Sequence, residues 1–347
     1  MGRHRWSRGA SKGKGGALTW RGRKVLVTGA DGFIGSHLTE ALVRAGASVR
    51  AFCFYSSEGS LGWLDGAEPE LKAKLDTCSG DIRDARFMAA ACEGIEIVFH
   101  LAALVAIPYS YTAPDSFIET NVKGTLNVVE GVRRAGCTRL VHTSTSEVYG
   151  TPERLPITET HALRAQSPYA ASKIAADKVC EAFVCSFGTP IVTLRPFNTY
   201  GPRQSARAVI PTILAQLLSG ARTVELGSLK PKRDLTYISD TVAGFLAAGV
   251  VEGLEGQTIQ LGTGLATSVE EIFEAACRVC GVEAVAVSRP ARVRPEQSEV
   301  MVLQSDPTRA NRILDWKATV TLDEGLGRTA AWMRSNLDRF RPELYAV

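Results

Sequence analysis

Short apolar runs alternate with amphipathic stretches from Lys24 onward. The run KVLVT (24–28) is ended by Gly29, a pattern typical of a strand that is buried on both faces. Residues 33–46 then carry apolar side chains at helical spacing. Further strands are predicted at 48–54, 95–103, 139–144 and 190–196, and long helices at 115–136 and 167–188. This alternation predicts an α/β fold, with a parallel sheet covered by helices on both faces.

Past about Asn198 the pattern becomes shorter and more interrupted. Helices are predicted near 208–219, 268–280 and 323–337, and strands near 223–226 and 257–261. We expect these elements to form a smaller C-terminal lobe over the carboxyl edge of the sheet, where open α/β folds bind ligands. The predicted organisation is a leader at 1–22, a sheet domain at 23–198, and a substrate-binding lobe at 199–340 that is interleaved with the sheet domain.

The composition is that of an ordinary globular protein with one large domain or two lobes. The chain has 347 residues, of which 45% are hydrophobic. No apolar run has the length needed to cross a bilayer, and the start does not resemble a secretory signal. The sequence therefore predicts a cytoplasmic protein that has no membrane partner.

Positive charge is concentrated in the leader. The chain has 40 Lys and Arg against 36 Asp and Glu, but eight of the basic residues and none of the acidic ones lie within residues 1–24. The net charge of +4 therefore becomes −4 for the remaining chain, which has 32 basic and 36 acidic residues. A leader rich in Gly, Ser, Lys and Arg buries little apolar surface and is predicted to be disordered. The rest of the chain has no cluster of basic residues of the kind that binds nucleic acid, so no nucleic-acid partner is predicted.

The eight cysteines are scattered along the chain, mostly inside apolar stretches. Without a secretion signal they are predicted to be reduced and to act as small buried hydrophobic residues. Cys277 and Cys280 form a lone CxxC within a helical pattern, and no second pair is present to complete a zinc site. We therefore predict no metal site.

The segment TGADGFIG places Gly29, Gly32 and Gly35 between the first strand and the first helix. Glycines at these places allow a tight turn and a close approach of the backbone to a pyrophosphate, while the helix N-terminus supplies N–H donors. In this position they favour dinucleotide binding over a purely structural turn. The predicted fold is therefore a Rossmann-type, doubly wound parallel sheet.

An acid that binds the adenosine ribose is expected at the end of the second strand, and it is missing. That position is near Cys53 and is followed by Phe54 and Tyr55, with no arginine pair for a 2′-phosphate. We predict NAD as the cofactor, and the sequence leaves NADP open. Asp81 and Ile82, which follow the third strand, are expected beside the adenine. The predicted cofactor-binding residues are Gly29, Gly32, Phe33, Ile34, Gly35, Ser56, Asp81, Ile82, Leu101, Ala102, Ala103, Tyr169 and Lys173.

Tyr169 and Lys173 lie four residues apart on a predicted helix and therefore share one face. The unperturbed pKa of a tyrosine is about 10, which makes it a poor base at neutral pH. A neighbouring ammonium and an oxidised nicotinamide ring are both expected to stabilise the phenolate and to lower that pKa. In a chain with a dinucleotide-binding loop, this pair predicts an acid–base catalyst.

Nine motifs together resemble the extended short-chain dehydrogenase/reductase family over about residues 24–332. The chain is most similar to the nucleotide-sugar 4,6-dehydratases of that family, both to GDP-mannose 4,6-dehydratases and to the branch that acts on GDP- or UDP-linked glucose or N-acetylglucosamine in the legionaminic-acid pathway. The motifs are TGADGFIG, GDIRD, HLAA, NVKGT, TSTSEVYG, YAASK, RPFNTYGP, RDLTYISD and RPEQSEV.

The resemblance implies a catalytic role for each of five residues: Thr145, Ser146, Glu147, Tyr169 and Lys173. Tyr169 would accept the proton of the sugar 4-hydroxyl while hydride passes from C4 to the nicotinamide. Lys173 would hold the ribose hydroxyls, and Thr145 would hydrogen-bond the 4-oxygen. Glu147 would remove the C5 proton, which is acidic once C4 is a ketone, so that water leaves from C6. Return of the hydride to C6 would give a 4-keto-6-deoxy sugar.

Ser146 departs from a common pattern, because many 4,6-dehydratases carry Asp-Glu where this chain has Ser146 and Glu147. The Ser-Glu version also occurs among GDP-mannose 4,6-dehydratases and among UDP-glucuronate decarboxylases. Epimerases of the family commonly have small or hydroxyl residues in place of the glutamate. Asp234 after Arg233 favours the dehydratase. A decarboxylase, a 4-epimerase and a non-catalytic dinucleotide-sensing scaffold remain as alternatives, although the intact catalytic residues disfavour the scaffold.

The resemblance also implies how the substrate is held and how the chain assembles. Asn198, Arg207, Arg233 and Arg294 would bind the nucleotide diphosphate of the sugar substrate. The predicted helices at 115–136 and 167–188 carry more apolar residues than one sheet face needs. We therefore expect a homodimer in which two helices of each subunit form a four-helix interface.

Overall fold

The computed structural model describes residues 19–340. The leader predicted at 1–22 lies outside the described residues except for its last four, and among these Trp20 is buried. Its ring packs against Phe99 in the central sheet at a centroid distance of 5.9 Å. Trp20 therefore belongs to the hydrophobic core and not to the leader in which the sequence analysis places it.

The strands and helices follow the predicted alternation. The strands are β1 (Lys24–Thr28), β2 (Ser48–Phe54), β3 (Asp76–Gly80), β4 (Ile97–His100), β5 (Arg139–Thr143), β6 (Ile191–Pro196), β7 (Asn198–Tyr200), β8 (Thr223–Leu226), β9 (Lys232–Tyr237), β10 (Thr258–Leu261), β11 (Ala266–Ser268), β12 (Val285–Ser288) and β13 (Val302–Leu303). The helices are α1 (Phe33–Arg44), α2 (Pro69–Lys72), α3 (Ala85–Cys92), α4 (Ile107–Thr112), α5 (Pro114–Phe117), α6 (Gly124–Ala135), α7 (Pro168–Phe187), α8 (Val209–Leu218), α9 (Ile238–Val250), α10 (Val269–Cys280), α11 (Thr308–Leu314) and α12 (Leu322–Arg334).

Seven parallel strands form the central sheet, in the order β3–β2–β1–β4–β5–β6–β10. The chain moves outward from β1 to β3 and then returns to the other side of β1 with β4. The strand order therefore reverses between β1 and β4, and open α/β sheets bind ligands in the crevice at such a reversal. This topology confirms the Rossmann-type, doubly wound fold predicted from the sequence.

Both faces of the central sheet are buried. Val25 and Val27 of β1 join a hydrophobic cluster with Leu38 of α1, while Leu26 joins a second cluster with Met88 of α3 on the opposite face. Each of these side chains is fully buried. Burial of such a side chain contributes about 1.5–3 kcal/mol. The continuous apolar character of KVLVT thus reflects a strand covered on two sides.

The edge of the sheet differs from the prediction at two elements. β10 matches the strand predicted near 257–261, but it pairs in parallel with β6 and completes the central sheet, so it is not part of the smaller lobe. α9 is absent from the sequence-based prediction and packs against α1. Most of its side chains are buried, so it lacks the polar face on which helical periodicity depends.

The helix predicted at 115–136 is divided. α5 leads through a π-helical segment, Ile118–Lys123, into α6. Single π-helical turns are frequent at functional sites. The segment includes Asn121, a residue of the candidate site described below.

α7 corresponds to the helix predicted at 167–188. Ser167 caps its start, where the side chain accepts a hydrogen bond from the Ala170 N–H at 3.1 Å. Gly188 ends it in the left-handed conformation, with φ of 63°. Local signals at both ends of this helix therefore account for its length.

The smaller lobe shares its core with one face of the central sheet. β9 pairs with β7, β11 and β13, and β8 pairs with β12. Ile213 of α8, Ile272 of α10 and Met333 of α12 belong to the same hydrophobic cluster as Val25. No helix within residues 19–340 is long and apolar enough to cross a membrane.

Candidate active site

The loop after β1 has the shape that a pyrophosphate needs. Gly29 has φ of 70°, and a Cβ there would meet the Ala102 nitrogen at 2.8 Å. A Cβ at Gly35 would meet the Gly29 oxygen at 1.9 Å, whereas one at Gly32 would meet only that oxygen, at 3.3 Å. α1 begins at Phe33 without a side-chain cap, so its first N–H groups are available to an anion. The loop therefore fits the phosphates of a dinucleotide.

The loop after β4 closes against the end of β1. The N–H groups of Leu101 and Ala102 both donate to the Thr28 Oγ1, each at 3.2 Å. Ala103 and Ile34, two further residues of the predicted cofactor site, are half-buried. These bonds hold the two loops together at the strand-order reversal, where the sequence analysis places the cofactor.

The residues predicted at the adenosine end lie on the loops after β2 and β3. The Ser56 Oγ accepts a hydrogen bond from the Glu58 N–H at 3.3 Å. Ile82 is buried, while the Asp81 carboxylate accepts from the Arg83 Nε at 2.9 Å. That hydrogen bond lowers the pKa of Asp81. The Asp81 carboxylate thus already has a partner within the protein.

Thr145, Ser146 and Glu147 directly follow the end of β5. Thr145 caps a short 3₁₀-helix, Ser146–Tyr149, and its Oγ1 accepts from the Glu147 N–H at 3.2 Å. Thr145 and Ser146 are buried, and Glu147 is half-buried. The turn therefore encloses the two hydroxyl groups and leaves the carboxylate partly accessible.

Tyr169 lies in the first turn of α7, and its buried ring packs on Phe117 at a centroid distance of 6.2 Å. Burial raises the pKa of Tyr169, a hydrogen bond with Thr145 acts to lower it, and the nearby charge of Glu147 raises it further. The lowered pKa expected from the sequence is therefore not a property of the protein chain by itself, because burial has the largest effect. These interactions show that Thr145, Glu147 and Tyr169 meet in one place.

Lys173 lies one turn after Tyr169 and is buried. Its Nζ donates to the carbonyl oxygen of Thr143 at 2.7 Å. Burial lowers the pKa of Lys173, and the charge of Asp177 acts in the opposite direction. The hydrogen bond joins α7 to the end of β5, the strand that leads into Thr145, so it fixes the position of Tyr169 and Lys173 relative to Thr145.

Asp177 lies a further turn along α7 and is a residue that the sequence analysis misses. It accepts hydrogen bonds from the His142 Nε2 at 3.0 Å, the Ser144 Oγ at 2.9 Å and the Arg195 Nη2 at 2.9 Å, and all four side chains are buried. Burial opposes ionisation of Asp177, but the His142 hydrogen bond and the Arg195 charge outweigh it and lower the pKa to about 2. Its position four residues after Lys173 is the signal that predicts a shared helix face.

Asn121, the first residue of the NVKGT motif, is the second site residue that was not predicted from the sequence. Its Oδ1 accepts from the Leu104 N–H at 2.8 Å, and its Nδ2 donates to the Leu104 oxygen and the Ser172 Oγ, both at 2.9 Å. Asn121 therefore joins the π-helical segment, the loop after β4 and α7. It positions the helix that carries Tyr169 and Lys173.

Arg233 and Arg294, two of the predicted diphosphate ligands, are brought together by Glu299. The Arg233 Nη2 donates to the Glu299 Oε1 at 2.8 Å, and the Arg294 Nη1 lies 3.5 Å from the same oxygen. Two guanidinium groups that converge in this way suit the oxygens of a diphosphate. Arg207 is exposed on the loop before α8, where its Nε donates to the Ser205 Oγ at 3.3 Å.

Asn198, the fourth predicted substrate ligand, carries a buried polar atom that lacks a partner. Its Oδ1 accepts no hydrogen bond from any residue between 19 and 340. Buried side-chain oxygens in native proteins are nearly always paired, and an orphaned one calls for a ligand or an ordered water. This atom fits a donor group of a bound molecule.

The segment that carries Arg294 is tied to the start of α7. The Gln166 Nε2 donates to the oxygen of Gln297 at 2.8 Å, and the Ser298 Oγ donates to the oxygen of Gln166 at 2.6 Å. Gln166 lies three residues before Tyr169. The smaller lobe is thus joined to the start of α7, and the candidate site lies between the lobe and the carboxyl edge of the sheet.

Nothing in the described part of the chain resembles a metal centre: no group of His, Cys, Asp or Glu side chains could hold an ion. The eight cysteines are free thiols, and Cys277 and Cys280 are half-buried on α10. A cavity of about 440 Å³ lies farther along α7, and it is lined by Asp177 and Arg195 but by none of Thr145, Glu147, Tyr169 and Lys173. This cavity is therefore separate from the candidate active site.

Comparisons with known proteins agree with this geometry. A family model described as GDP-mannose 4,6 dehydratase matches residues 26–329. The UDP-glucose 4-epimerase of Mycolicibacterium smegmatis is 33% identical and covers 90% of this chain and 99% of the relative. The dTDP-glucose 4,6-dehydratase of an Actinoplanes species is 30% identical over 90% of this chain and 98% of the relative. The structure of DesIV, a dTDP-glucose 4,6-dehydratase from Streptomyces venezuelae solved with NAD and TYD bound, is 29% identical with a TM-score of 0.79, over 92% of this chain and 99% of that one.

Proposed function

Since the chain belongs to the GDP-mannose 4,6 dehydratase family, we propose that it is an NAD-dependent nucleotide-sugar 4,6-dehydratase. The resemblance to extended short-chain dehydrogenases/reductases is confirmed by this match and by the relatives, which include both 4,6-dehydratases and 4-epimerases. The proposed substrate is a GDP- or UDP-linked hexose of the glucose or N-acetylglucosamine type. The proposed product is the corresponding 4-keto-6-deoxy sugar, which is formed with internal recycling of hydride.

The observation that carries this proposal is the position of Glu147 beside Tyr169. Exchange of the configuration at C4 needs one acid–base group at the 4-oxygen, and Tyr169 with Thr145 supplies it. Dehydration needs a second base at C5. Glu147 is a partly accessible carboxylate, and its N–H donates to the Thr145 Oγ1 at 3.2 Å. Thr145 in turn forms a hydrogen bond with Tyr169, so the three residues lie close enough to serve one sugar ring.

In the first half of the proposed reaction, Tyr169 accepts the proton of the sugar 4-hydroxyl, and Thr145 holds the 4-oxygen. Bound NAD supplies the hydride acceptor and, in its oxidised form, a positive charge that stabilises the Tyr169 phenolate against the effect of burial. Lys173 binds the ribose hydroxyls from its buried position beside β5. Gly29, Gly32, Gly35 and the start of α1 hold the pyrophosphate.

In the second half, Glu147 removes the C5 proton, which the neighbouring C4 ketone has made acidic. The C6 hydroxyl then leaves as water with the proton that Glu147 removed, and addition of hydride at C6 and of a solvent proton at C5 gives the 4-keto-6-deoxy sugar. Ser146 supplies a hydroxyl where many related dehydratases have a carboxylic acid. Arg233 and Arg294 bind the diphosphate of the nucleotide, where Glu299 now occupies their N–H groups.

A 4-epimerase is the second candidate, because the M. smegmatis relative of that name is 33% identical over nearly its whole length. A UDP-glucuronate decarboxylase is a third possibility, since the Ser-Glu pair also suits it. The experiment that separates them offers the enzyme NAD and a panel of nucleotide sugars and reads the product mass. We expect loss of one water. Loss of carbon dioxide identifies the decarboxylase, unchanged mass with altered stereochemistry identifies the epimerase, and absence of turnover supports a non-catalytic scaffold.

The same assay tests whether the cofactor is recycled. In the proposed reaction the hydride removed at C4 returns to C6 within one active site, so no external reductant is consumed. We expect many product molecules for each NAD, with no net rise in nicotinamide absorbance. Accumulation of NADH in step with product contradicts an internal hydride return.

A further inference from the structure

The end of β2 lacks the carboxylate that ordinarily binds the adenosine ribose. β2 ends in Cys53 and Phe54, and the chain continues with Tyr55, Ser56 and Ser57 before the first acid, Glu58. Cys53 is buried, and burial raises its pKa to about 12, so this thiol does not replace a carboxylate. A ribose diol at this edge of the sheet therefore needs an acid from another element.

Asp31 lies in the glycine-rich loop and is held against the end of β2. The N–H of its neighbour Ala30 donates to the Phe52 oxygen at 3.1 Å, and the Trp63 N–H donates to the Asp31 oxygen at 3.0 Å. Gly62 packs so closely that a Cβ there would meet the Asp31 Cβ at 2.9 Å. Asp31 is thus enclosed between β2 and the loop before α2.

The side chain of Asp31 reaches the backbone that follows Cys53. Its carboxylate interacts with the N–H groups of Asp31 itself and of Phe54. Burial raises the pKa of Asp31, and these two N–H groups act to lower it. Among residues 19–340 no lysine or arginine forms an ion pair with Asp31, so beyond these two N–H groups the carboxylate keeps lone pairs for a ligand.

We infer that Asp31 is the carboxylate that binds the 2′-hydroxyl of the adenosine ribose and that it selects NAD against NADP. This inference rests on the proposed dinucleotide dependence. A dinucleotide whose pyrophosphate lies on the glycine loop would place its adenosine ribose toward the end of β2, and Asp31 contacts both of these segments. A carboxylate accepts hydrogen bonds from a diol but repels the 2′-phosphate of NADP, and no cation pairs with Asp31 to offset that repulsion.

Glu58 is the competing acid and provides the matched control. It is exposed in the turn after β2, where its N–H donates to the Ser56 Oγ at 3.3 Å. Glu58→Gln and Asp31→Asn each remove one carboxylate near the end of β2 with little change in volume. Only the second is expected to alter the choice of cofactor.

The test is calorimetric titration of NAD and NADP into nucleotide-free wild-type protein, Asp31→Asn and Glu58→Gln. A charged hydrogen bond supports at least a tenfold effect, so we expect Asp31→Asn to bind NAD roughly tenfold more weakly. The same variant should bind NADP at least as tightly as wild type does, so the ratio of its affinities for NAD and NADP should fall. Glu58→Gln should behave as wild type. Loss of NAD preference in Glu58→Gln with Asp31→Asn unchanged overturns the assignment.

A second titration uses 2′-deoxy-NAD, in which the adenosine ribose lacks the 2′-hydroxyl that is the proposed partner of Asp31. Wild type should bind 2′-deoxy-NAD about as weakly as Asp31→Asn binds NAD. Asp31→Asn should bind 2′-deoxy-NAD nearly as well as it binds NAD, because the substitution and the missing hydroxyl delete the same hydrogen bond. Equal affinity of wild type for NAD and 2′-deoxy-NAD overturns the inference even if the variant fails to fold. Binding needs no turnover, so a failure of the dehydratase proposal in the product assay leaves this result readable.

Discussion

Glu147 and Tyr169 are the two acid–base groups of the proposed reaction, in which they would serve different atoms of one sugar. Tyr169 is held by α7 and is fully enclosed, whereas Glu147 is held by the turn after β5 and keeps partial access to solvent. Burial raises the pKa of Tyr169, and the nearby Glu147 carboxylate raises it further. Removal of either group should therefore stop the reaction at a different step.

Glu147→Gln is expected to separate the two half-reactions. The substitution keeps the size and hydrogen bonding of the side chain but removes the base, and loss of a general base costs about a hundred- to ten-thousand-fold in rate. Thr145, Tyr169 and Lys173 remain, so oxidation at C4 should still proceed. We expect absorbance of enzyme-bound NADH on mixing with substrate, little 4-keto-6-deoxy product, and little solvent deuterium at C5.

Two further variants control this experiment. Tyr169→Phe should abolish the rise in NADH absorbance, because the 4-hydroxyl proton then has no acceptor. Glu153 is an exposed glutamate that lies six residues after Glu147 and pairs with Arg164. Glu153→Gln should leave the rate of dehydration near that of wild type. Dehydration by Glu147→Gln at close to the wild-type rate would show that Glu147 is an ordinary turn residue.

At the scale of elements, α7 is attached to β5 and β6 by a buried polar network. Asp177 is its centre, and the Arg195 guanidinium also donates to the Tyr149 hydroxyl at 3.0 Å. Tyr149 ends the short helix that begins with Ser146, so the network reaches both segments of the candidate site. A buried charge with several partners is costly to leave unpaired.

Asp177→Asn is expected to destabilise the fold by about 3–5 kcal/mol, because it leaves the Arg195 charge buried without its counter-ion. The free energy of unfolding is measured by urea titration. Glu181→Gln is the control on the same helix: its carboxylate pairs with Lys178 on the exposed side, and its loss should change stability by less than about 0.5 kcal/mol. Equal effects of the two substitutions would show that the buried network contributes little.

For the whole molecule, buried histidines link stability to pH. Burial lowers the pKa values of His100 and His142, so both rings stay neutral in the folded chain at neutral pH. In the unfolded chain a histidine takes up a proton near pH 6.5. The unfolded state therefore binds more protons below that pH, and folding stability present above it is lost as the pH falls.

We expect the free energy of unfolding to decrease as the pH falls from 7.5 to 5.5. Below pH 6.5, each of these histidines should contribute a decrease of up to about 1.4 kcal/mol per pH unit. Asp177 adds a loss of the same sign as the pH falls from about 4 toward its folded pKa of about 2. Denaturant titrations at a series of pH values measure the slope. A flat profile from pH 7.5 to 5.5 would contradict the neutral, buried state of the two rings.

The assembly proposed for the molecule is a homodimer through α6, α7 and the π-helical segment. Ile118 and Leu126 on these helices are 47% and 38% exposed in the single chain. Light scattering at micromolar concentration should give the mass of a dimer, and Leu126→Glu should shift it toward the monomer because it places a charge in an apolar interface. Leu265→Glu, at a 71% exposed site outside α6, α7 and the π-helical segment, is the control. A wild-type monomer would overturn the proposal.

The sequence by itself determined the features that depend on residues close along the chain. β1 and β2 have the predicted bounds, and α7 begins and ends beside the Ser167 and Gly188 signals, because strand and helix periods and caps are local properties. The glycine loop was predictable for the same reason. The pairing of Tyr169 with Lys173 needs only the helical repeat of about four residues.

Tertiary structure alone decided the features that join distant segments. β10 became the edge of the central sheet, although its local pattern suits any buried strand. Asp177 acquired its partners from β5 and β6, and Glu299 brought Arg233 to Arg294. Tyr169 has a raised pKa because the assembled fold encloses it, and enclosure is a sum over contacts from many elements. Periodicity reports which face of an element is apolar, but it carries no information on which distant side chain will lie against that face.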